Sequence, residues 1–282
     1  MVVRLLVVSD THLAAGHVPA DDNWQAVLAS VGAGDADMVL HLGDLSLDGA
    51  SSPDQLKHAR SELERLGLPW YAVPGNHDLG DNPVPGGIRA EKLANADRRQ
   101  SWLDTVGPDW WRLDVENWTF LALNVQLFGT NLVAEEAQWD WLADELADVG
   151  GDRAIGLLVH KPLFGTEEEP AESPLGCRYV PAGPLSRLLA LLKDRPPDLV
   201  LSGHVHQYRT LQVDGIRHVW TPTTWAVAAD DKQPLLGVKR CGYLYIELDG
   251  RRMCSVQFVE PPAITQQVIG QTAGNPYEIQ GD

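Results

Sequence analysis

The sequence is poor in cysteine, in basic residues and in long apolar runs, and each shortage closes off a class of function. Three cysteines (Cys177, Cys241, Cys254) in 282 residues are an odd number without metal-ligand spacing. Neither a disulfide framework nor a thiolate metal site is expected, and reduced thiols in a cytoplasmic protein are. With 22 basic against 39 acidic residues the formal net charge is -17. Such a surface repels a nucleic-acid backbone, so no polynucleotide partner is expected. No apolar run reaches membrane-spanning length, so no membrane partner is expected either. The opening run Met1 to Val8 lacks a basic leader and breaks into Ser9-Asp10-Thr11-His12. It reads as a buried strand rather than a signal peptide.

What is present is an ordinary globular composition, 44% hydrophobic and 22% charged, enough for one large α/β domain. Apolar runs of strand length (3–8, 38–42, 70–73, 120–123, 155–159, 199–201) alternate with segments of helical period. Trp24, Val27, Leu28 and Val31 share one helical face, stopped by Gly32. Ser52-Pro53 opens a second helix striped by Leu56, Ala59, Leu63 and Leu66. A weaker helical stretch covers 89–104, Trp139, Leu142, Ala143 and Leu146 mark another, and Leu185, Leu188, Leu189 and Leu192 the last. Residues 208–260 hold strand-like runs and no convincing helix. Alternating α/β followed by a β-meander predicts a four-layer α-β-β-α sandwich of two stacked mixed sheets over residues 1–260, with 261–282 as a peripheral C-terminal tail. Ten tryptophans are accounted for by core packing and also leave room for a homodimer interface.

Five of these strands end in residues that bind metals well: Asp10 and His12, then Asp44, then Asn76 and His77, then His160, then His204 and His206. In an α/β sheet the carboxyl ends of the strands form one rim, where ligands bind. Side chains at i and i+2 of an extended segment share a side, so Asp10 with His12, and His204 with His206, each deliver two ligands to one place. Glycines before Asp44, Asn76 and His204 let the main chain crowd a small centre. Carboxylate and imidazole together suit borderline divalent metals such as zinc, manganese, iron or cobalt. Seven ligands oversupply one ion and accommodate two, about 3.5–4 Å apart in sites that clamp a phosphoryl displacement. Asp44, alone on the middle strand, is the candidate bridge. His17, His41, His58 and His218 belong to no such arrangement and read as structural or solvated.

Asp10-x-His12, Gly43-Asp44, Gly75-Asn76-His77-Asp78, His160 and Gly203-His204-x-His206, in that order, resemble the calcineurin-like metallophosphoesterases over residues 3 to 260. The resemblance implies that Asp10, His12 and His206 hold one metal, that Asn76, His160 and His204 hold the second, and that Asp44 bridges. It implies that a metal-bridging hydroxide attacks phosphorus while His77, a catalytic non-ligand, protonates the leaving alkoxide. Manganese, iron or zinc are the implied cofactors. The Val-Asp-Arg-Gly run of protein Ser/Thr phosphatases is absent, and Leu47 stands where purple acid phosphatases place a tyrosine ligand. The blocks Gly43-Asp44-Leu45-x-x-Asp48-Gly49 and Thr221-Pro222-x-Thr224 are similar to class III cyclic nucleotide phosphodiesterases. A hydrolase of small phosphodiesters, 3',5'-cyclic nucleotides among them, is expected. A phosphomonoesterase on the same centre and a non-catalytic scaffold are the alternatives. Lys161 departs from that group, which tends to carry a second histidine there; an ion pair or a solvated side chain is expected, with a contact to substrate phosphate as the alternative. Substrate choice is expected from the loops 14–22, 79–87 and 165–183, the last carrying Glu167-Glu168-Glu169 and Arg178. Asp78 has the weakest claim to a role.

Overall fold

In a computed structural model of the protein, residues 2–32, 35–83, 90–165 and 178–271 are described. The opening apolar run forms β1 (Val2–Val8), and both of its faces are covered. Leu5 and Val7 pack inward between two sheets, whereas Leu6 and Val8 face helices on the outside. This double burial is why the run is continuous rather than alternating. β2 (Met38–His41) and β3 (Trp70–Ala72) continue the sheet in parallel. On the other edge β10 (Tyr243–Asp249) pairs antiparallel with β1, and β11 (Arg252–Val259) with β10.

The second sheet has a parallel centre of β5 (Trp118–Ala122), β6 (Ala154–Leu158), β7 (Leu199–Ser202) and β9 (Ile216–Trp220). It is flanked by antiparallel β4 (Trp111–Val115) and β8 (Arg209–Val213). β5 repeats the division of β1: Trp118, Phe120 and Ala122 join the inter-sheet core, and Leu121 turns outward. The helices α1 (Val18–Ser30), α2 (Pro53–Glu64) and α4 (Ala96–Thr105) cover the first sheet through Trp24, Val27, Leu56, Leu63 and Trp102. The helices α5 (Val133–Asp148) and α6 (Ala182–Leu192) cover the second through Trp139, Leu142, Leu185 and Leu188. The single turn α3 (Asn76–Leu79) belongs to the site. The fold is a four-layer α-β-β-α sandwich of two mixed sheets.

The expected tail is packed down over 261–271. Thr265 N–H donates to Asn23 Oδ1 at 2.8 Å, and Asn23 Nδ2 returns a bond to Thr265 O at 2.9 Å. Main-chain bonds then link Val227 to Gln267 (3.0 Å) and Ile269 to Val227 (2.9 Å). His58 pairs with Asp21 at 3.3 Å, and His41 and His218 are buried.

His218 lies on β9 with the edge of its ring against Phe164, and its Nε2 has no hydrogen-bond partner. Burial lowers its pKa to about 4. Between pH 6.5 and pH 4 the unfolded chain therefore binds a proton that the folded one refuses, so stability rises with pH across that window. His218→Phe is expected to remove about 3 kcal/mol of that pH dependence. Denaturant titrations of wild type and variant at pH 4.5 and pH 7.5 measure it, and equal pH slopes would contradict the assignment.

Candidate metal centre

The carboxyl ends of β1, β2, β3, β6 and β7 meet at one rim, and each delivers part of the site. Asp10, His12, Asp44 and His160 are fully or almost fully buried there, His206 is 8% exposed, and Asn76, His77 and His204 are half-buried. The convergence does not come from extended backbone. Asp10, His12, Asp44, His204 and His206 all have left-handed backbone, with φ between 48° and 67°. Among the described residues they are five of eight non-glycine positions with positive φ. Each such conformation costs on the order of 1 kcal/mol and persists only when its surroundings over-determine it. Here hydrogen bonds do so. Asp10 N–H donates to Gly43 O (3.0 Å), His12 N–H to Asp44 O (3.1 Å), and His204 N–H to the Asp10 carboxylate (3.0 Å). Thr223 Oγ1 closes the set by donating to Asp10 O at 2.8 Å.

Two glycines make this crowding physically open. A Cβ on Gly75 would overlap the Asp44 carboxylate and main chain, and one on Gly203 would overlap Ser9 Oγ. Any side chain at either position must push two strand ends apart.

The donor atoms gather in groups whose members all lie within 4.8 Å of one another: Asp10 with His12 and His206, His12 with Asp44 and His77, and Asp44 with His160 and His204. Asp44 Oδ2 lies 3.3 Å from His160 Nε2 and 3.8 Å from His12 Nε2. His206 Nε2 is 3.3 Å from both Asp10 Oδ1 and His12 Nε2. Asn76 Oδ1 is 3.3 Å from His160 Nε2, and His204 Nδ1 is 3.1 Å from it. All seven expected ligands and His77 are thus brought together.

The tautomers fit a cation. A carbonyl can only accept, so the bonds from His160 Nδ1 to Leu42 O (2.7 Å) and from His206 Nδ1 to Ala226 O (2.5 Å) put the proton on Nδ1. In the neutral ring the Nε2 lone pair then points into the cluster, as metal-binding histidines are held. The charges agree. Burial opposes the charged form of His160, yet the Asp44 carboxylate beside it pushes its pKa up to about 9. His206 is likewise burdened by burial and raised by Asp10. Burial would raise Asp44, but the surrounding imidazoles, His160 foremost, hold it well below the usual carboxylate range. Burial, reinforced by neighbouring imidazoles, keeps His12 and His204 far below theirs. The two carboxylates therefore favour positive charge beside them, which divalent ions would supply.

His77 shares a donor group with His12 and Asp44, but one of its ring nitrogens is committed elsewhere. Its Nδ1 donates to Leu47 O at 2.7 Å, and its backbone N–H donates to Asp44 Oδ1 at 2.8 Å. With His12, Asp44, His204, His206, Trp225 and Ile269 it lines a cavity of about 230 Å³.

Asp78 is the residue most underestimated from sequence. It is fully buried, and its carboxylate accepts from Leu45 N (3.1 Å), Ser46 N (2.9 Å), Ser46 Oγ (2.6 Å) and Gly75 N (2.9 Å). It ties the β3 turn to the β2 turn and so sets Asn76 and His77 against Asp44. Lys161 is also fully buried, paired with Asp81 and 2.8 Å from Asn82 Oδ1. The ion pair is the outcome, and it anchors the segment after α3 beside His160. Sequence reading missed Trp225, whose ring lies 4.7 Å from that of His12, as well as Thr223 and Ile269. Thr223 occupies the variable place in the Thr221-Pro222-x-Thr224 block. His17, read as structural, does touch the site through His12 O at 3.2 Å. Residues 84–87 of the second expected specificity loop, and Glu167-Glu168-Glu169, lie outside the described residues.

A sandwich of this kind with carboxylate and imidazole donors gathered at its strand ends could hold divalent ions. Residues 3–208 match the model of the calcineurin-like phosphoesterase family, and the chain belongs to that family. It is similar to the 3',5'-cyclic adenosine monophosphate phosphodiesterase CpdA of Escherichia coli K12, 29% identical over 79% of this chain and 76% of that one. A 3',5'-cyclic-nucleotide phosphodiesterase of Nostoc is 25% identical over 79% and 78%. Among solved structures, a dimetal phosphatase from Danio rerio superimposes with a TM-score of 0.63 at 14% identity, covering 91% of this chain and 95% of that one. The protein is a hydrolase acting on phosphate esters of a family that uses divalent metals. No helix among the described residues is long and apolar enough to cross a membrane.

Proposed function

We propose that the protein hydrolyses small phosphodiesters, 3',5'-cyclic nucleotides among them, on two divalent ions drawn from manganese, iron and zinc. The observation that carries this is the sharing of donors: Asp44 belongs both to the group with His12 and to the group with His160 and His204. On this reading Asp10, His12 and His206 would hold one ion and Asn76, His160 and His204 the other, with Asp44 available to both. Bound ions would supply positive charge for the phosphoryl oxygens and acidify a water for attack. His77 presents its ring to the cavity and delivers a proton to the departing alkoxide. The preference for diesters is supported by the names of the curated relatives. A buried thiol at Cys241 agrees with a reducing, cytoplasmic setting.

Protein loaded with manganese, zinc or iron is expected to turn over bis(p-nitrophenyl) phosphate at least about tenfold faster than p-nitrophenyl phosphate, a difference of about 1.4 kcal/mol in the barrier, and to open cyclic AMP. A preference for the monoester would make it a phosphatase. No turnover of either ester with any of the three metals would leave the fold as a binding scaffold.

A further inference from the structure

The lining of the cavity is chemically mixed. His12, Asp44, His77, His204 and His206 are its polar part, and Trp225, packed against His12, and Ile269 are its apolar part. Trp225 and Ile269 belong to a small apolar cluster with Ala20, Ala226 and Leu47, separate from the cores between the layers. Ile269 arrives there because the strap 261–271 is pinned along its length. Asn23 grips Thr265, Gln267 Nε2 donates to Pro19 O at 2.9 Å, and Val268 bridges beside Val227. An apolar patch fixed this firmly beside the phosphate-binding residues, in the same cavity, is placed to meet the organic group the phosphate carries. A tryptophan and a branched aliphatic side chain suit a planar, weakly polar ring better than an open-chain alcohol.

We infer that Trp225 and Ile269 form the subsite for the organic ring of the ester, a nucleobase-like heterocycle, and that the strap 261–271 is a specificity element. This rests on the phosphoesterase reading of the centre. Residues 261–271 then set selectivity together with the loop 14–22, to which the strap is bonded through Pro19.

Calorimetric titration of the full-length, metal-loaded protein with inorganic phosphate, ribose 5-phosphate and adenosine 5'-monophosphate tests the subsite without turnover. Adenosine 5'-monophosphate is expected to bind about tenfold more tightly than ribose 5-phosphate, the usual worth of a well-packed aromatic contact. Ile269→Ala is expected to bring that ratio close to one, and the volume-conserving Ile269→Leu to keep most of it. A wild-type ratio near one overturns the subsite, as does an Ile269→Ala variant that weakens all three ligands alike. Failure of the wild type to bind any of the three, phosphate included, overturns the phosphoesterase reading itself and the subsite with it.

Discussion

Replacing His77 with alanine is expected to lower kcat by about 10²- to 10⁴-fold, the range of a lost general acid, while the protein keeps its full complement of metal. The geometry separates these two outcomes. The Nδ1 proton of His77 is committed to Leu47 O, and its backbone N–H to Asp44 Oδ1. Alanine retains the backbone donor, so Asp44 keeps its orientation and the donor groups keep their shape. What is lost is the ring facing the cavity. The loss should depend on the leaving group. A nitrophenolate leaves readily without a proton and should fall near the lower end, whereas the alkoxide of a cyclic nucleotide needs one and should fall near the upper end. Metal analysis beside rate measurements on both substrates decides the matter. Metal loss in His77→Ala would place the imidazole among the ligands, since it also lies within 4.8 Å of donor atoms on His12 and Asp44.

The strand ends were legible in the sequence because each is a run buried on both faces that stops at a polar residue. β1, β2, β6 and β7 have that form, and all carry donors. β4 and β8 were not legible, being edge strands with half-exposed faces that lack the apolar run. A signal for β8 was available in Asp214-Gly215, both with positive φ, the dipeptide that favours a two-residue hairpin turn. The positions of the ligands followed from their order along the chain, but their geometry did not. Reading Asp10-x-His12 and His204-x-His206 as extended backbone gave the right meeting point by the wrong route. Left-handed turns after the strands bring the side chains together, and those depend on carbonyls of distant residues such as Gly43 and Asp44. Contacts of that range leave no local pattern. The same holds for Ile269, whose place at the cavity is set by Asn23 and Val227. Asp78 could have been valued higher. A carboxylate immediately after the ligand and acid positions, on a turn with several main-chain N–H groups to satisfy, is a natural acceptor for them.

Asp44→Asn is expected to cost more than any other single substitution in the chain, with loss of at least one equivalent of metal and a fall in turnover beyond the 10–100-fold typical of partners that only orient ligands. The substitution nearly preserves shape. Asparagine can still accept from His77 N–H through Oδ1, which aspartate does at 2.8 Å. The difference is charge at the second oxygen, 3.3 Å from His160 Nε2 and 3.8 Å from His12 Nε2. That oxygen is the negative centre raising His160, and an ion placed between the donor groups draws on it directly. Thermal denaturation gives a readout independent of activity. Metal at about a thousand times its dissociation constant stabilises the folded wild type by about 4 kcal/mol, a rise in Tm on the order of 10 °C. The variant should keep a folded metal-free state with a Tm near that of the metal-free wild type and gain only a small part of that rise. Two equivalents of metal and the full gain in Asp44→Asn would mean that the ions sit beside this carboxylate rather than on either side of it.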